Sequence, residues 1–259
     1  KAVSKDVYQE SNGGKWVRYD ANGHMIKGWD TNDDGTYYFD LVTGAMTKGD
    51  ATIDGLPCSF DTTTGIGCNL MWHSMDGKDY WYEAGKRQGY DPNNAAYRGK
   101  EIYDPASDAW YWLDNVQQGA KTVSKDVYQE SEAGDWAENA DGTGKWVRYD
   151  ANGHMVKGWD TNANGTYYFD LITGAMAKGA LLLDDVQYGF DPIMGTMLDC
   201  QWLHTEVGDY WYEGGIRQGT EAAARKFMTP IPTPGTGWTP TRSVCRRFQI
   251  FVQKSKKWR

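Results

Sequence analysis

The feature that most constrains this chain is a stretch that occurs twice. Residues 14–49 read GKWVRYDANGHMIKGWDTNDDGTYYFDLVTGAMTKG, and residues 144–179 read GKWVRYDANGHMVKGWDTNANGTYYFDLITGAMAKG. Within each copy a shorter theme recurs: an aromatic run, an acid, a glycine turn, then a return through a small residue or Met. An aromatic followed by Asp or Glu stands at Tyr19, Phe39, Phe60 and Tyr82, and again at Tyr149, Phe169, Phe190 and Tyr212. Both sets keep the same spacing, and each step is one position longer than the last. Self-similarity at so short a period marks an array of small units, each too thin to bury a core alone.

The units read as β-hairpins. Asn-Gly between aromatic runs, as at Asn22-Gly23, is a strong hairpin signal because tight turns need backbone angles those residues tolerate. In Tyr37-Tyr38-Phe39, alternation sends Tyr37 and Phe39 to one face and Tyr38 to the other. The predicted class is all-β, with tandem hairpins stacked as a β-solenoid-like array. A first block, 1–121, holds hairpins at about 14–29, 34–49, 53–72, 77–90 and 99–119, the last around Pro105. A second block, 122–221, repeats them at about 144–159, 164–179, 184–202 and 207–219 after a ten-residue insert near 132–142.

Composition agrees with thin units. Only 40% of the 259 residues are hydrophobic, yet aromatics reach 14%, with 13 Trp and 17 Tyr. Flat rings with polar handles suit staples between hairpins, or platforms for a ligand. No apolar run approaches the ~18 residues of a membrane span, so no membrane insertion is expected. The chain shows no signal peptide and opens on KAVSKDVYQES, which recurs as KTVSKDVYQES at 121–131, so it reads as a fragment. Residues 222–259 carry nine of the 27 Lys and Arg and no acid, which leaves 18 basic against 35 acidic groups before them, a net of −17. Such a body repels nucleic acid and anionic lipid.

The tail from 222 breaks the pattern. Read one base out of frame, Lys226-Phe227-Met228-Thr229-Pro230 allows Ile-Tyr-Asp-Pro, and 234–239 allows Trp-Tyr-Trp-Leu-Asp, as at Ile102–Pro105 and Trp110–Asp114. Residues 225–239 therefore read as a frameshifted repeat, with a disordered extension as the plainer alternative.

At this point the residues carry a resemblance. GKWVRYDANGHMIKGW and GTYYFDLVTGAMTKG resemble the cell-wall-binding repeats of Gram-positive surface proteins, the group of choline-binding and glucan-binding repeats. The resemblance covers most of 1–221. It implies stacked hairpins, no catalysis, no cofactor, a secreted or cell-surface setting, and aromatic sites between hairpins that hold choline headgroups or sugars. Trp29 and Trp159 stand in its Gly-Trp positions, and Trp72 and Trp202 two hairpins on; Lys48-Gly49-Asp50 and Lys178-Gly179-Ala180 lack the ring. A cation cage takes about three rings, so the alternating pattern fits a sugar-stacking platform more easily than a cage at every junction.

The predicted ligand-binding residues are Trp29, Trp72, Trp159 and Trp202, with Trp81 and Trp211 behind them. The predicted partner is cell-wall polysaccharide or choline-bearing teichoic acid, and the rival is a host protein gripped by the same exposed rings. Other chemistries fit less well. Asp30, Asn32, Asp34 and Gly35 resemble half a calcium loop, but Leu41 stands where the closing Glu belongs. His24, His73, His154 and His204 lack a second ligand at metal spacing, so no metal is expected. Asp20, Asp40 and Glu83 recur as turn acids and fit turn capping better than a glycosidase pair. Cys58 and Cys68 flank one turn and could pair in an oxidising setting, although Tyr188 and Leu198 replace them in the second copy.

Overall fold

The structure, a computed structural model, describes residues 2–10, 13–130 and 144–219. The insert near 132–142 and the tail 222–259, with its out-of-frame stretch, lie outside the described residues. Apart from one 3-10 turn, Asn115–Gln117, every described element is a β-strand.

Two compact units form, Lys1–Val156 and Lys157–Arg259. In the first, β1 (Lys5–Gln9) pairs β2 (Lys15–Tyr19), and β3 (Gly28–Asn32) pairs β4 (Gly35–Phe39). An eight-stranded antiparallel sheet follows: β5 (Gly49–Ile53), β6 (Leu56–Phe60), β7 (Met71–Met75), β8 (Lys78–Glu83), β9 (Lys86–Arg87), β10 (Gly99–Asp104), β11 (Ala109–Asp114) and β12 (Ala120–Lys121). Its order is β10-β11-β12-β8-β9-β6-β5, with β7 on β8. A hairpin of β13 (Lys125–Gln129) and β14 (Lys145–Tyr149) completes the unit, so the units do not coincide with the two sequence copies. The second unit holds the hairpin β15 (Gly158–Asn162) and β16 (Gly165–Phe169). Its other sheet has β17 (Gly179–Leu183), β18 (Val186–Phe190), β19 (Gln201–Thr205), β20 (Gly208–Glu213) and β21 (Ile216–Arg217), ordered β17-β18-β21-β20-β19. The all-β class and the tandem hairpins expected from the sequence are observed.

The hairpins lie about half a unit from where Asn-Gly placed them. Across Asn22-Gly23 the ladder is a single bridge, Tyr19 to Met25. The full ladder pairs Gly28–Asn32 with Gly35–Phe39 about a tight turn at Asp33-Asp34. The cause is the acid. Asp20 Oδ1 accepts the N–H groups of Asn22 and His24 at 2.9 and 2.8 Å, which closes a wide loop on itself. Gly28, at φ +78°, then redirects the chain before a second ladder step can form. Asp40 and Asp61 do the same with the N–H and hydroxyl groups of Thr43 and Thr64.

This capping sets an acid limit. The backbone N–H groups of His24, Thr43 and Thr64 hold the carboxyls of Asp20, Asp40 and Asp61 below their ordinary value of 3.8. A carboxyl depressed in the native state stabilises fully above its unfolded value, and that contribution is lost as pH falls through the native value. The melting temperature followed by circular dichroism should therefore hold from neutral pH down to about 4 and fall below it. The double variant Asp40→Asn, Asp61→Asn should show a shallower fall; an unchanged acid limb would contradict the capping role.

Within each unit the hairpins are joined in series by the return segment. Met46 N–H donates to the carbonyl of Trp16 at 2.8 Å, Gly67 to Thr36 at 2.7 Å, and Met155 to Trp110 at 2.8 Å. In the second unit Met197 donates to Thr166 at 2.7 Å. Each return thus bonds to the second strand of the preceding hairpin. The Met side chain then covers the glycine of the next turn: a Cβ on Gly44 would stand 2.2 Å from Met25 Sδ, and one on Gly195 2.4 Å from Met176 Sδ. This close approach explains why glycine and methionine keep step along the chain.

The interior is a set of small aromatic-rich clusters. Trp81 packs with Ile102, Tyr111 and Leu113, and Trp112 with Val127, Val147 and Tyr149. Ile53, Cys58 and Phe60 lie against Trp29 and Tyr38. In the second unit Leu198, Leu203 and Tyr212 form a cluster against Tyr210.

Candidate functional site

The second residue of a hairpin's first strand stands directly opposite the residue that precedes the aromatic-acid step. There β3–β4 places Trp29 against Tyr38, β7–β8 Trp72 against Trp81, β15–β16 Trp159 against Tyr168, and β19–β20 Trp202 against Trp211. Ring centroids are 5.1 to 5.3 Å apart in every pair, and all four are edge-on. Such cross-strand pairs stabilise the ribbon. The intervening hairpins hold Asp50 opposite Ser59 and Ala180 opposite Gly189.

The six predicted tryptophans therefore form a graded series. Trp159 and Trp202 are open to solvent, 47% and 56% exposed. Trp29, Trp72 and Trp211 are half-buried. Trp81 is 1% exposed, and its place among the ligand residues is corrected. The β10–β11 hairpin sets Ile102 and Tyr111 over its ring, and its Nε1–H donates to Glu83 at 3.0 Å. Trp81 is a core staple.

The half-buried rings of the first unit carry the chain's own cations. Lys86 Nζ lies 4.5 Å from the ring centroid of Trp29, which also touches Phe60 at 5.9 Å. Beside it a cavity of about 430 Å³ is lined by Trp29, Asp54, Lys86, Tyr90, Asp91 and Pro92 among others. Burial pushes the Cys58 thiol, cross-strand partner of Lys86, up to about 11, so it stays neutral there. Lys121 Nζ lies 5.3 Å from the Trp72 ring and 5.8 Å from that of Tyr111, and it pairs with Asp79 at 2.8 Å. Trp72 Nε1–H donates to Asp104 at 3.0 Å.

Sequence reasoning missed the other rings of the Trp159 site. Tyr168 stands 5.1 Å away, Tyr188 5.0 Å, both edge-on, and Phe190 6.0 Å. The second aromatic in TYYF marked Tyr168, whereas Tyr188 has Cys58 as its counterpart and no motif flagged it. Three Tyr–Trp pairs at hairpin tips, exposed except for the half-buried Trp110, also have no counterpart in the sequence reading: Tyr8–Trp16, Tyr103–Trp110 and Tyr128–Trp146.

The other candidate groups are engaged structurally. Asp30 pairs with Arg18 at 2.9 Å, and Asn32 Oδ1 accepts the N–H groups of Asp34 and Gly35, so the calcium-like run is a turn. His204 sits 2.7 Å from Asp209, and the His154 ring packs against Tyr111. Glu83 departs from turn capping and binds Lys100 at 2.9 Å instead. Cys58 and Cys68 are free thiols in separate clusters.

No protein-family model matches the chain. A curated relative, Glucosyltransferase-S of Streptococcus downei, is 27% identical over 215 residues, which is 76% of this chain and 15% of that protein. Among solved structures, choline binding protein F of Streptococcus pneumoniae superposes with a TM-score of 0.50 and 20% identity, over 82% of this chain and 63% of that one. The choline-binding domain of CbpL from the same organism gives a TM-score of 0.47 and 19% identity, over 85% of this chain and all of that domain. The hairpin fold of this chain is thus similar to that of choline binding protein F. The chain spans only about 15% of the length of the glucosyltransferase.

Proposed function

We propose that this repeat array is a non-catalytic binding module, which holds a secreted protein to a cell-wall polysaccharide or a choline-bearing teichoic acid. The observation that carries this reading is the recurrence of an outward tryptophan at one register step, open at Trp159 and Trp202. An indole with an edge-on neighbour offers a flat apolar face for a sugar ring and a π-face for a quaternary ammonium. Each contact is weak alone. Two sites on one chain convert the second contact into an intramolecular event, so avidity for a repetitive polymer exceeds either affinity. The names of the relatives, a glucosyltransferase and choline-binding proteins, support a glycan or choline ligand.

The test is binding to purified streptococcal cell walls. Trp159→Ala with Trp202→Ala should weaken retention at least about tenfold, since central tryptophans are the commonest energetic anchors. Free choline or glucan fragments should elute the wild type. Retention unaffected by the double substitution would remove these rings from the function. Elution by neither competitor would favour a protein partner.

A further inference from the structure

The two Gly-Trp sites share a floor and differ in one cross-strand pair. Trp29 meets Tyr38 at 5.1 Å and 64° and Phe60 at 5.9 Å and 33°. Trp159 meets Tyr168 at 5.1 Å and 65° and Phe190 at 6.0 Å and 34°. Above this common floor, β6–β9 pairs Cys58 with Lys86, whereas β18–β21 pairs Tyr188 with Ile216. The consequences are opposite. Tyr188 adds a third ring, 5.0 Å from Trp159. Cys58 supplies no ring beside Trp29, and the ammonium of Lys86 covers that indole instead, 4.5 Å from its centroid.

We infer that Lys86 is the resident cation of the Trp29 site and sets its ligand preference: Trp29 refuses a quaternary ammonium, while Trp159 with Tyr168 and Tyr188 accepts one. The inference rests on the reading of these rings as binding sites. Two effects act together at Trp29. A cation tethered by the backbone holds the π-face at an effective concentration that a free ligand at low millimolar levels does not match. The fixed ammonium also repels an incoming one of like charge. Trp72 shows the same device built from another strand, with Lys121 placed over Trp72 and Tyr111. Both lysines lie in the first unit, and among the described residues no lysine stands over Trp159 or Trp202.

The experiment uses the full chain with 15N-labelled tryptophan, titrated with choline chloride, each indole N–H being read separately. The wild type should show the Trp159 signal moving, with Trp29 requiring at least tenfold more choline. Lys86→Gln, which keeps the length and removes the charge, should bring Trp29 into the range of Trp159. Cys58→Tyr with Lys86→Ile should do so more fully, and Ile216→Lys should weaken Trp159 at least tenfold. Without ligand, the ε-methylene protons of Lys86 should resonate upfield of free lysine through the Trp29 ring current. Free-lysine positions for those protons overturn the inference whatever choline does. Equal response at Trp29 and Trp159 in the wild type overturns it while leaving the binding reading intact. No response at either ring, with the Lys86 protons upfield, overturns the ammonium branch of the binding reading and the inference with it.

Discussion

Trp81→Ala should destabilise the first unit by about 4 kcal/mol, with the equivalent Trp211→Ala costing the second about half as much. The two residues sit in the same stretch, DYWYE, at the same step of equivalent hairpins. Their burial separates them. Trp81 is 1% exposed beneath Ile102, Tyr111 and Leu113, and its truncation leaves a cavity those neighbours cannot collapse to fill. Trp211 is half-buried against Trp202, so solvent enters the space instead. Urea unfolding of each variant, with fluorescence from the remaining indoles, measures both. Equal losses would mean that the β10–β11 cover contributes nothing.

Glu101→Ala should cost about 3 kcal/mol, because it leaves a buried charge short of a partner. Lys145 is only 1% exposed, and its Nζ lies 3.7 Å from Glu101 Oε2. Glu101 Oε1 also accepts from the Tyr149 hydroxyl at 3.1 Å and from Gln129 Nε2 at 2.9 Å, and Gln129 reaches that hydroxyl at 2.9 Å. Burial, then the charge of Glu101, pushes the Tyr149 phenol well above its ordinary 10. A phenol raised in the native state stabilises fully below its unfolded value, and the contribution is lost as pH rises through the native one. The wild type should therefore lose stability above about pH 10, and Tyr149→Phe should shift that limb upward. Glu101→Gln, which keeps an acceptor oxygen, should lose less than Glu101→Ala; equal losses would show that hydrogen bonding is irrelevant at this cluster.

Much of the fold was legible because its cause is periodic. The regular aromatic-acid steps mark where each second strand ends. The missing ring at Asp50 and Ala180 is read directly from the same period. The half-unit displacement of the hairpins was not legible. Asp20-Ala21-Asn22-Gly23 and Asp33-Asp34-Gly35 both carry turn chemistry, and only the capping by Asp20 shows which loop is wide.

The site was half legible. Trp159 and Trp202 stand where the repeat places them, but Trp81 and Trp211 cannot be told apart by any local pattern. What distinguishes them is the β10–β11 hairpin, which follows Trp81 and packs over it. Lys86 is remote from Trp29 along the chain and reads as an ordinary solvated lysine until the β6–β9 pairing brings it over the ring. Charge on a long flexible side chain leaves no periodic trace, so a sequence reading has no means of assigning it to a face.

The most direct measurement is hydroxyl-radical footprinting of the tryptophans, free and on purified cell walls. Trp159 and Trp202 should be oxidised in the free protein and protected on the walls, while Trp81 stays unmodified in both states. If Trp159 and Trp202 oxidise equally with and without the wall while the protein remains bound, these rings are not the binding surface.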